Sequence, residues 1–528
     1  MNPGINASGA RKDGFFGHPK GLATLFFTEM WERFSFYGLR PLLILFMSAA
    51  IMQDGWGWDR TEASAIVGIY ASFVYLASLP GGWIADKWLG LRKAVLYGGA
   101  LISLGHITIG FSSFVHSKVP FFLGLVFIVL GTGLLKPNVS AMVGDLYPEG
   151  GARKDAGFSI FYMGINLGAM IGQLITGFLG ERIGWHWGFT AAGVAMIIGL
   201  VQFWITAPKT LGDIGTEPSH DPDPAKQAKN VSMVKMSTII GLVILAIVFA
   251  LVATGTIPFV PSVFGTYYAY FLAGIAFVYF AYLLLFGGLT GNEKKRIIVI
   301  AVLFLFAAIF WSAFEQTPTA LNLFANDFTN RQLGSFLIPA TWFQSVNSAW
   351  IILLAPVIAA LWTWLGSRNV DLSSPVKFSI GLGFTTLAFV VMIFASYIVV
   401  GEGHTATLVS PLWLVTFYLL LTLGELFVSP VGLSSMTTLS PKRYVGQMMG
   451  IWFLASSLGN LIGGLVGGEV DPENLSAMPR LFTTTTMFLG GAAILLLILS
   501  VPIAKMMARS DNEKEIEDPI NEVPHGEN

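Results

Sequence analysis

The chain has 528 residues, 54% of them hydrophobic and only 12% charged, with a formal net charge of -1. Soluble domains carry about 25% charged residues, so this composition excludes an ordinary soluble protein and fits a polytopic membrane protein. Cysteine is absent, which excludes disulfides, cysteine-ligated metals and thiol catalysis.

Residues 1–20 are polar and lack a short apolar core with a cleavage site. No removable signal peptide is therefore expected, and the first span serves as its own insertion signal. A helix needs about 20 apolar residues to cross the hydrocarbon core. Fourteen such spans are predicted, at 20–49, 61–86, 93–115, 120–145, 154–180, 186–207, 236–254, 264–287, 297–317, 340–366, 376–400, 411–436, 444–468 and 481–507. Their even number puts both termini on one side. Residues 208–235, with Asp221-Pro222-Asp223-Pro224, read as a polar, flexible linker, and 509–528 as a disordered acidic tail. Of the 30 lysines and arginines, Arg33, Arg40 and Lys136 fall within spans, and Arg60, Lys118, Arg182, Arg331 and Arg480 in the loops opposite the termini. The rest lie on the side of the termini, which the positive-inside bias assigns to the cytoplasm.

The first span carries Glu29-Met30-Trp31-Glu32-Arg33-Phe34-Ser35-Phe36-Tyr37-Gly38. At about 3.6 residues per turn, Glu29, Glu32, Arg33, Phe36, Tyr37 and Arg40 fall along one stripe. Ionisable groups at membrane depth are costly against lipid, so this stripe is expected to face an aqueous cavity or charged partners on other helices.

An internal repeat supplies those partners. Pro80, Trp88, Leu89, Gly90 and Arg92 recur at one constant offset as Pro356, Trp364, Leu365, Gly366 and Arg368; Pro137, Leu146 and Pro148 recur at another as Pro430, Leu439 and Pro441. Two six-helix halves in the same orientation account for this. Parallel six-helix repeats mark the major facilitator architecture, with the substrate site near the midplane between halves. The expected fold is thus an all-α membrane protein with bundles at 1–207 and 291–508, the linker 208–235, and two inserted helices within 236–290. The repeat places Glu315 level with Arg40, and Lys136 level with the turn that carries Glu425. Both pairs are read as gates or coupling switches across a mobile interface.

The first-span stretch resembles the E-x-x-E-R-F-x-Y-Y-G motif of the proton-dependent oligopeptide transporter family. Gly82-Trp83-Ile84-Ala85-Asp86-Lys87 with Gly90 and Arg92-Lys93 is similar to the loop between the second and third helices in its superfamily. Phe158 to Gly168, Leu135-Lys136-Pro137-Asn138, Phe310-Trp311 with Glu315-Gln316, Trp342 to Asn347, and Gly424 to Pro430 resemble further family motifs in the family's order, and the inserted pair is typical of bacterial members. Phe36 departs from the family at the first tyrosine of its pair, which removes one hydroxyl. Ser348 departs at the proline that usually follows Asn347. The histidine of animal relatives on the second helix is also absent, leaving glutamates to carry protons.

The resemblance implies a proton-coupled importer of di- and tripeptides, not an enzyme, in a bacterial inner membrane. No cofactor besides protons and no nucleic-acid partner is implied; the lipid bilayer is the expected surrounding, and each chain should hold a complete pathway as a monomer. Arg33 and Lys136 suit a peptide carboxylate, Arg by its fork and Lys as a point charge, and Glu425 suits the ammonium. By resemblance Asn166 and Asn347 would bond the peptide backbone, and Tyr37 and Tyr75 would add hydroxyls. Trp311, Trp452 and Phe453 would line side-chain pockets, with Ser456 nearby. Glu29, Glu32, Arg33, Lys136 and Glu425 would couple protons, while Arg40, Glu315 and Asp86 would gate. His106, in the third span, reads as an internally satisfied histidine. The competing expectation is a proton-coupled carrier of another anion, such as nitrate or an organic acid, which would need Arg33 but not Glu425. A drug antiporter would gain nothing from Arg33 with Lys136, and a sugar carrier would favour neutral hydrogen-bonding groups. The motifs of metal, serine-elbow and phosphate-loop enzymes are missing.

Overall fold

The structure, a computed structural model, describes residues 14–115, 117–219, 222–370, 372–401 and 407–507. The expected tail at 509–528 lies outside the described residues. Six long helices form the first half: α1 (Lys20–Ser48), α2 (Arg60–Ile84), α3 (Leu91–Val115), α4 (Lys118–Asp145), α5 (Gly151–Arg182) and α6 (Trp185–Thr210). Then come α7 (Pro224–Ala253) and α8 (Pro261–Phe286), followed by α9 (Gly291–Phe314) and the short α10 (Asn322–Phe328). A two-stranded hairpin, β1 (Gln332–Leu333) and β2 (Phe336–Leu337), precedes α11 (Trp342–Ser367), α12 (Ser374–Val400), α13 (Leu412–Thr438), α14 (Val445–Gly467) and α15 (Ala477–Met507).

Thirteen helices among the described residues are long and apolar enough to cross a bilayer. The fourteenth, α1, has the length, at 29 residues, but carries Glu29, Glu32, Arg33 and Arg40. Burial resolves the conflict: all four are at most 5% exposed, shielded from lipid by the surrounding helices. The protein is an all-α membrane protein of the major facilitator type, with two six-helix bundles and an inserted pair.

The linker differs from expectation. Residues 224–235 are not flexible connection but the first turns of α7. Asp223 accepts hydrogen bonds from the N–H groups of Ala225 and Lys226, and Pro224 occupies the first turn, where its missing N–H costs nothing. Only Val234 of α7 is buried, so its apolar surface faces outward from the bundles.

Within the first half α1 packs on α5 and α6, and α3 on α4; within the second, α12 packs on α13 and α15. The halves meet chiefly where α2 crosses α14 and α5 crosses α11. Gly68 and Gly464 make the first crossing possible: a Cβ on Gly68 would lie 2.8 Å from the Gly464 Cα. Small residues at such crossings let backbones approach closely.

The hydrogen bonds that join the halves gather at the end carrying the α1–α2 turn. Arg40 pairs with Glu315 and donates to Asn460 Oδ1 at 2.8 Å. Arg60 pairs with Asp327 at 2.5 Å and donates to the Val470 carbonyl at 3.0 Å. Asn322 donates to the Pro41 carbonyl at 2.8 Å, and Ser64 to that of Gly464 at 2.5 Å. On α5, Glu181 accepts from the N–H groups of Ala340 and Thr341 at 2.7 and 2.9 Å, from the Thr341 hydroxyl at 2.8 Å, and from Arg331 at 3.3 Å. That end is sealed.

Candidate functional site: a charge-lined cavity between the halves

Beneath the seal lies a cavity of about 110 Å3 walled by both halves. From the first half, Tyr37, Arg40, Tyr75, Tyr162, Asn166 and Gln173 line it; from the second, Trp311, Glu315, Gln344, Asn347, Tyr418 and Glu425. Each position follows from helical spacing. On α5, Tyr162, Asn166 and Gln173 share a face, as do Gln344, Asn347 and Ser348 on α11.

The α1 stripe is built as one ion cluster. The Arg33 Nε lies 3.0 Å from a Glu29 oxygen, one turn back, and 2.5 Å from a Glu32 oxygen. Its guanidinium also sits 5.4 Å from the Phe36 ring centroid and 6.0 Å from that of Tyr37. Arg40 approaches the same Phe36 ring at 5.8 Å. Phe36 is thus packed between two guanidiniums and is 2% exposed, away from the cavity lining. The hydroxyl missing at this position is not one missing from the pocket wall.

The expected Lys136–Glu425 encounter does not occur. Lys136 Nζ rests 3.9 Å over the Tyr75 ring. Glu425 instead accepts from Asn347 Nδ2 at 3.2 Å, and the same amide donates to Thr422 at 2.9 Å. The repeat aligned the two residues in depth, but depth does not bring them together while the aromatic face holds the ammonium. Arg40 and Glu315, in contrast, do meet, as the repeat predicts.

Other expected residues fall at three distances from the cavity. Tyr37, Tyr75, Asn166, Trp311, Asn347 and Glu425 line it; Glu29, Glu32 and Arg33, which are buried, and Lys136, which is half-buried, lie outside the lining, with Arg33 against Tyr37 and Lys136 against Tyr75. Trp452, Phe453 and Ser456 are not in its lining. Trp452 is 6% exposed and packs on the bare backbone of Gly432, and the Ser456 hydroxyl donates to the Trp452 carbonyl at 3.3 Å. Asp86 is exposed in a π-helical turn, Ala85–Leu89, on the side of the termini; its backbone carbonyl accepts from Ser219 at 2.8 Å. His106 is buried and bonded to Ser35 at 2.6 Å, outside the cavity.

The reading from residue types missed Tyr162, Gln173, Gln344 and Tyr418. The signal was available: Tyr162 and Gln173 lie one turn below and two turns above Asn166, Gln344 one turn before Asn347, and Tyr418 two turns before Glu425. Being uncharged, they carry no cost at membrane depth that would mark them in the sequence. Chemically, the cavity wall offers the Glu425 carboxylate, the Arg40–Glu315 pair, and amides and hydroxyls, with Arg33 and Lys136 outside the lining beside Tyr37 and Tyr75. Among the described residues no group of side chains could hold a metal ion.

Comparison with known proteins places the chain in a family. A family model described as the POT family matches residues 92–478. The chain is 47% identical to a peptide transporter of Yersinia enterocolitica, across 97% of this chain and 100% of that protein. It is 36% identical to a di-/tripeptide transporter of Lactococcus lactis subsp. cremoris, across 93% and 97%. A crystal structure of a peptide transporter in complex with sulfate superposes with a TM-score of 0.85, at 38% identity, covering 96% of this chain and 100% of that one.

Proposed function

The chain belongs to the POT family, and from that premise we propose that it is a proton-coupled symporter that imports di- and tripeptides by alternating access. The observation that carries the reading is a cavity between the halves with Glu425, held by Asn347, in its wall and, on the other half, Tyr37 and Tyr75 with Arg33 and Lys136 packed against their rings. A peptide keeps its two charged ends and its backbone amides whatever its side chains, so a general carrier holds those constant parts. Glu425 takes the ammonium. Arg33 takes the carboxylate through its planar fork, and Lys136 adds a point charge. Asn166 and Asn347 read the amide, and Tyr37 and Tyr75 complete the wall.

Coupling follows from the Arg33 cage. With Glu29 and Glu32 ionised, Arg33 is neutralised within its own helix and attracts a carboxylate weakly. A proton taken up by that pair frees the guanidinium for the peptide. Release of peptide and proton to the inside lets the cage re-form and Lys136 pass between Tyr75 and Glu425 as the empty carrier returns. A membrane potential supplies about 2.3 kcal/mol per charge per 100 mV, enough for one or two protons to drive useful accumulation. Arg40–Glu315 serves as the outer gate, and Asp86 belongs to the inner side. Both termini are cytoplasmic, the membrane is a bacterial inner membrane, and a single chain holds the whole path.

A nitrate or organic-acid carrier would have no ammonium to hold and no use for Glu425 in the cavity wall. The experiment is uptake of dialanine and N-acetyl-dialanine into proteoliposomes with an acidic exterior. Wild-type protein should favour the free amine, and Glu425→Gln should lose that preference. An unchanged preference would remove the role given to Glu425.

A further inference from the structure

We propose that Glu62 and Ser262 form a second latch of the outer gate, and that through it the inserted helix α8 takes part in each transport cycle. The inference rests on the alternating-access reading of the carrier. α8 lies along the seam between the halves, packed on α2 of the first and α14 of the second. Its buried residues Gly265, Tyr268, Leu272, Ala276, Phe280 and Leu283 recur every three or four positions and form one stripe. The outer part of that stripe touches both halves. The Tyr268 ring stacks on Phe73 of α2 at 4.7 Å, and a Cβ on Gly265 would lie 2.8 Å from the Leu465 side chain of α14.

The two ends of α8 are held differently. At the inner end its partners belong to the second half: Tyr279 donates to Gln447 Oε1 at 2.5 Å. Just past the helix, the Gly287 carbonyl accepts from the Tyr444 hydroxyl at 3.0 Å and the Gly288 carbonyl from Arg443 at 2.8 Å. At the outer end Ser262, in the first turn, donates its N–H and its hydroxyl to the two oxygens of Glu62 on α2, at 2.9 and 2.6 Å. Val260, which precedes the helix, offers no side-chain cap, so a carboxylate of the first half fills an N–H left open at the helix start. The helix dipole favours an anion there. Arg60, paired with Asp327 at the seal, shares the first turn of α2 with Glu62, which places the contact at the sealed end. Opening that end separates α2 from α14. α8, anchored to the second half at its inner end, then travels with that half, and Glu62 parts from Ser262. A pair bonded only in the closed state favours that state.

The test uses two double-cysteine proteins, since the sequence has no native cysteine. Glu62→Cys with Ser262→Cys spans the latch, and Tyr279→Cys with Gln447→Cys spans the inner end. Each pair is bridged by a bifunctional methanethiosulfonate matched to its span, and dialanine uptake into proteoliposomes is measured before bridging, after it, and after reduction. Bridging the latch should stop uptake and reduction restore it, whereas bridging the inner end should leave uptake unchanged. Uptake that survives the outer bridge, or stops with the inner one, overturns the latch. Glu62→Gln gives a second measurement without a bridge, in a protein whose only cysteine replaces Ala169 in the cavity wall. It should raise labelling by an external thiol reagent by about tenfold, the weight of one charge-assisted hydrogen bond. Ser262→Ala should raise labelling on its own and add little to Glu62→Gln. Unaltered labelling, or effects that simply add, overturn the latch as well. Failure of wild-type protein to take up dialanine at all would overturn the carrier reading itself, a result distinct from these.

Discussion

Arg33 shows how a charge becomes tolerable inside a membrane protein. Its guanidinium is enclosed by Glu29, Glu32 and two aromatic faces, with 2% of its surface exposed. Removing one member of a buried ion cluster leaves uncompensated charge, at a cost of roughly 3–5 kcal/mol. Arg33→Ala should therefore lower the melting temperature in detergent by several degrees, whereas Arg33→Lys keeps the charge and should affect peptide KM more than melting. An unchanged melting temperature in Arg33→Ala would show that the cage contributes little to stability. Tyr75 carries a second residue-scale expectation. Its ring, 3.9 Å from Lys136 Nζ, is occupied by the ammonium, and such contacts contribute about 0.5–2 kcal/mol. Tyr75→Phe should keep more uptake than Tyr75→Leu. Equal losses would assign the role of Tyr75 to its hydroxyl. The charged residues were legible in the sequence because ionisable groups at membrane depth are rare and spaced by helical turns. The resting place of Lys136 was not, since a repeat fixes height along a helix and leaves the conformational state open.

Helices were read well wherever hydrophobicity alone decides. α1 through α6 fall within a few residues of their expected spans, because twenty apolar residues in a row have few alternatives. α7 begins earlier than its apolar run for a local reason: Asp223-Pro224, a pair that can break a helix, is here a cap followed by a first-turn proline. At the sealed end the elements make two testable joints. Glu181 sits against the first N–H groups leading into α11, where a helix N-terminus favours an anion. The sequence has no native cysteine, so Ala169→Cys in the cavity wall provides a unique reporter. Glu181→Gln on that background should raise labelling of Cys by an external thiol reagent several-fold, since a neutral amide holds Arg331 and the α11 terminus less firmly. Unaltered labelling would place the seal elsewhere. Gly464→Val should act more strongly in the same direction, because a side chain there meets the Gly68 backbone and keeps α2 from α14. If Gly464→Val labels as slowly as its parent, the close crossing is not required for closure.

For the whole molecule, two like bundles enclosing a cavity with opposed charges make a device that can expose one site to either side in turn. The architecture followed from the repeat and the spans. The uncharged lining, with Gln173, Gln344, Tyr162 and Tyr418, did not, because neutral side chains on a membrane helix look alike whether they face lipid, a neighbour or a ligand. The central claim is that a proton gradient drives a zwitterionic peptide through this cavity. Its most direct measurement is dialanine accumulation in proteoliposomes of purified protein with an acidic exterior, alongside nitrate under the same gradient. Dialanine should accumulate above its external concentration and collapse to equilibration when a protonophore is added, while nitrate does not accumulate. Accumulation of nitrate in place of dialanine, or dialanine uptake indifferent to the protonophore, would contradict the claim.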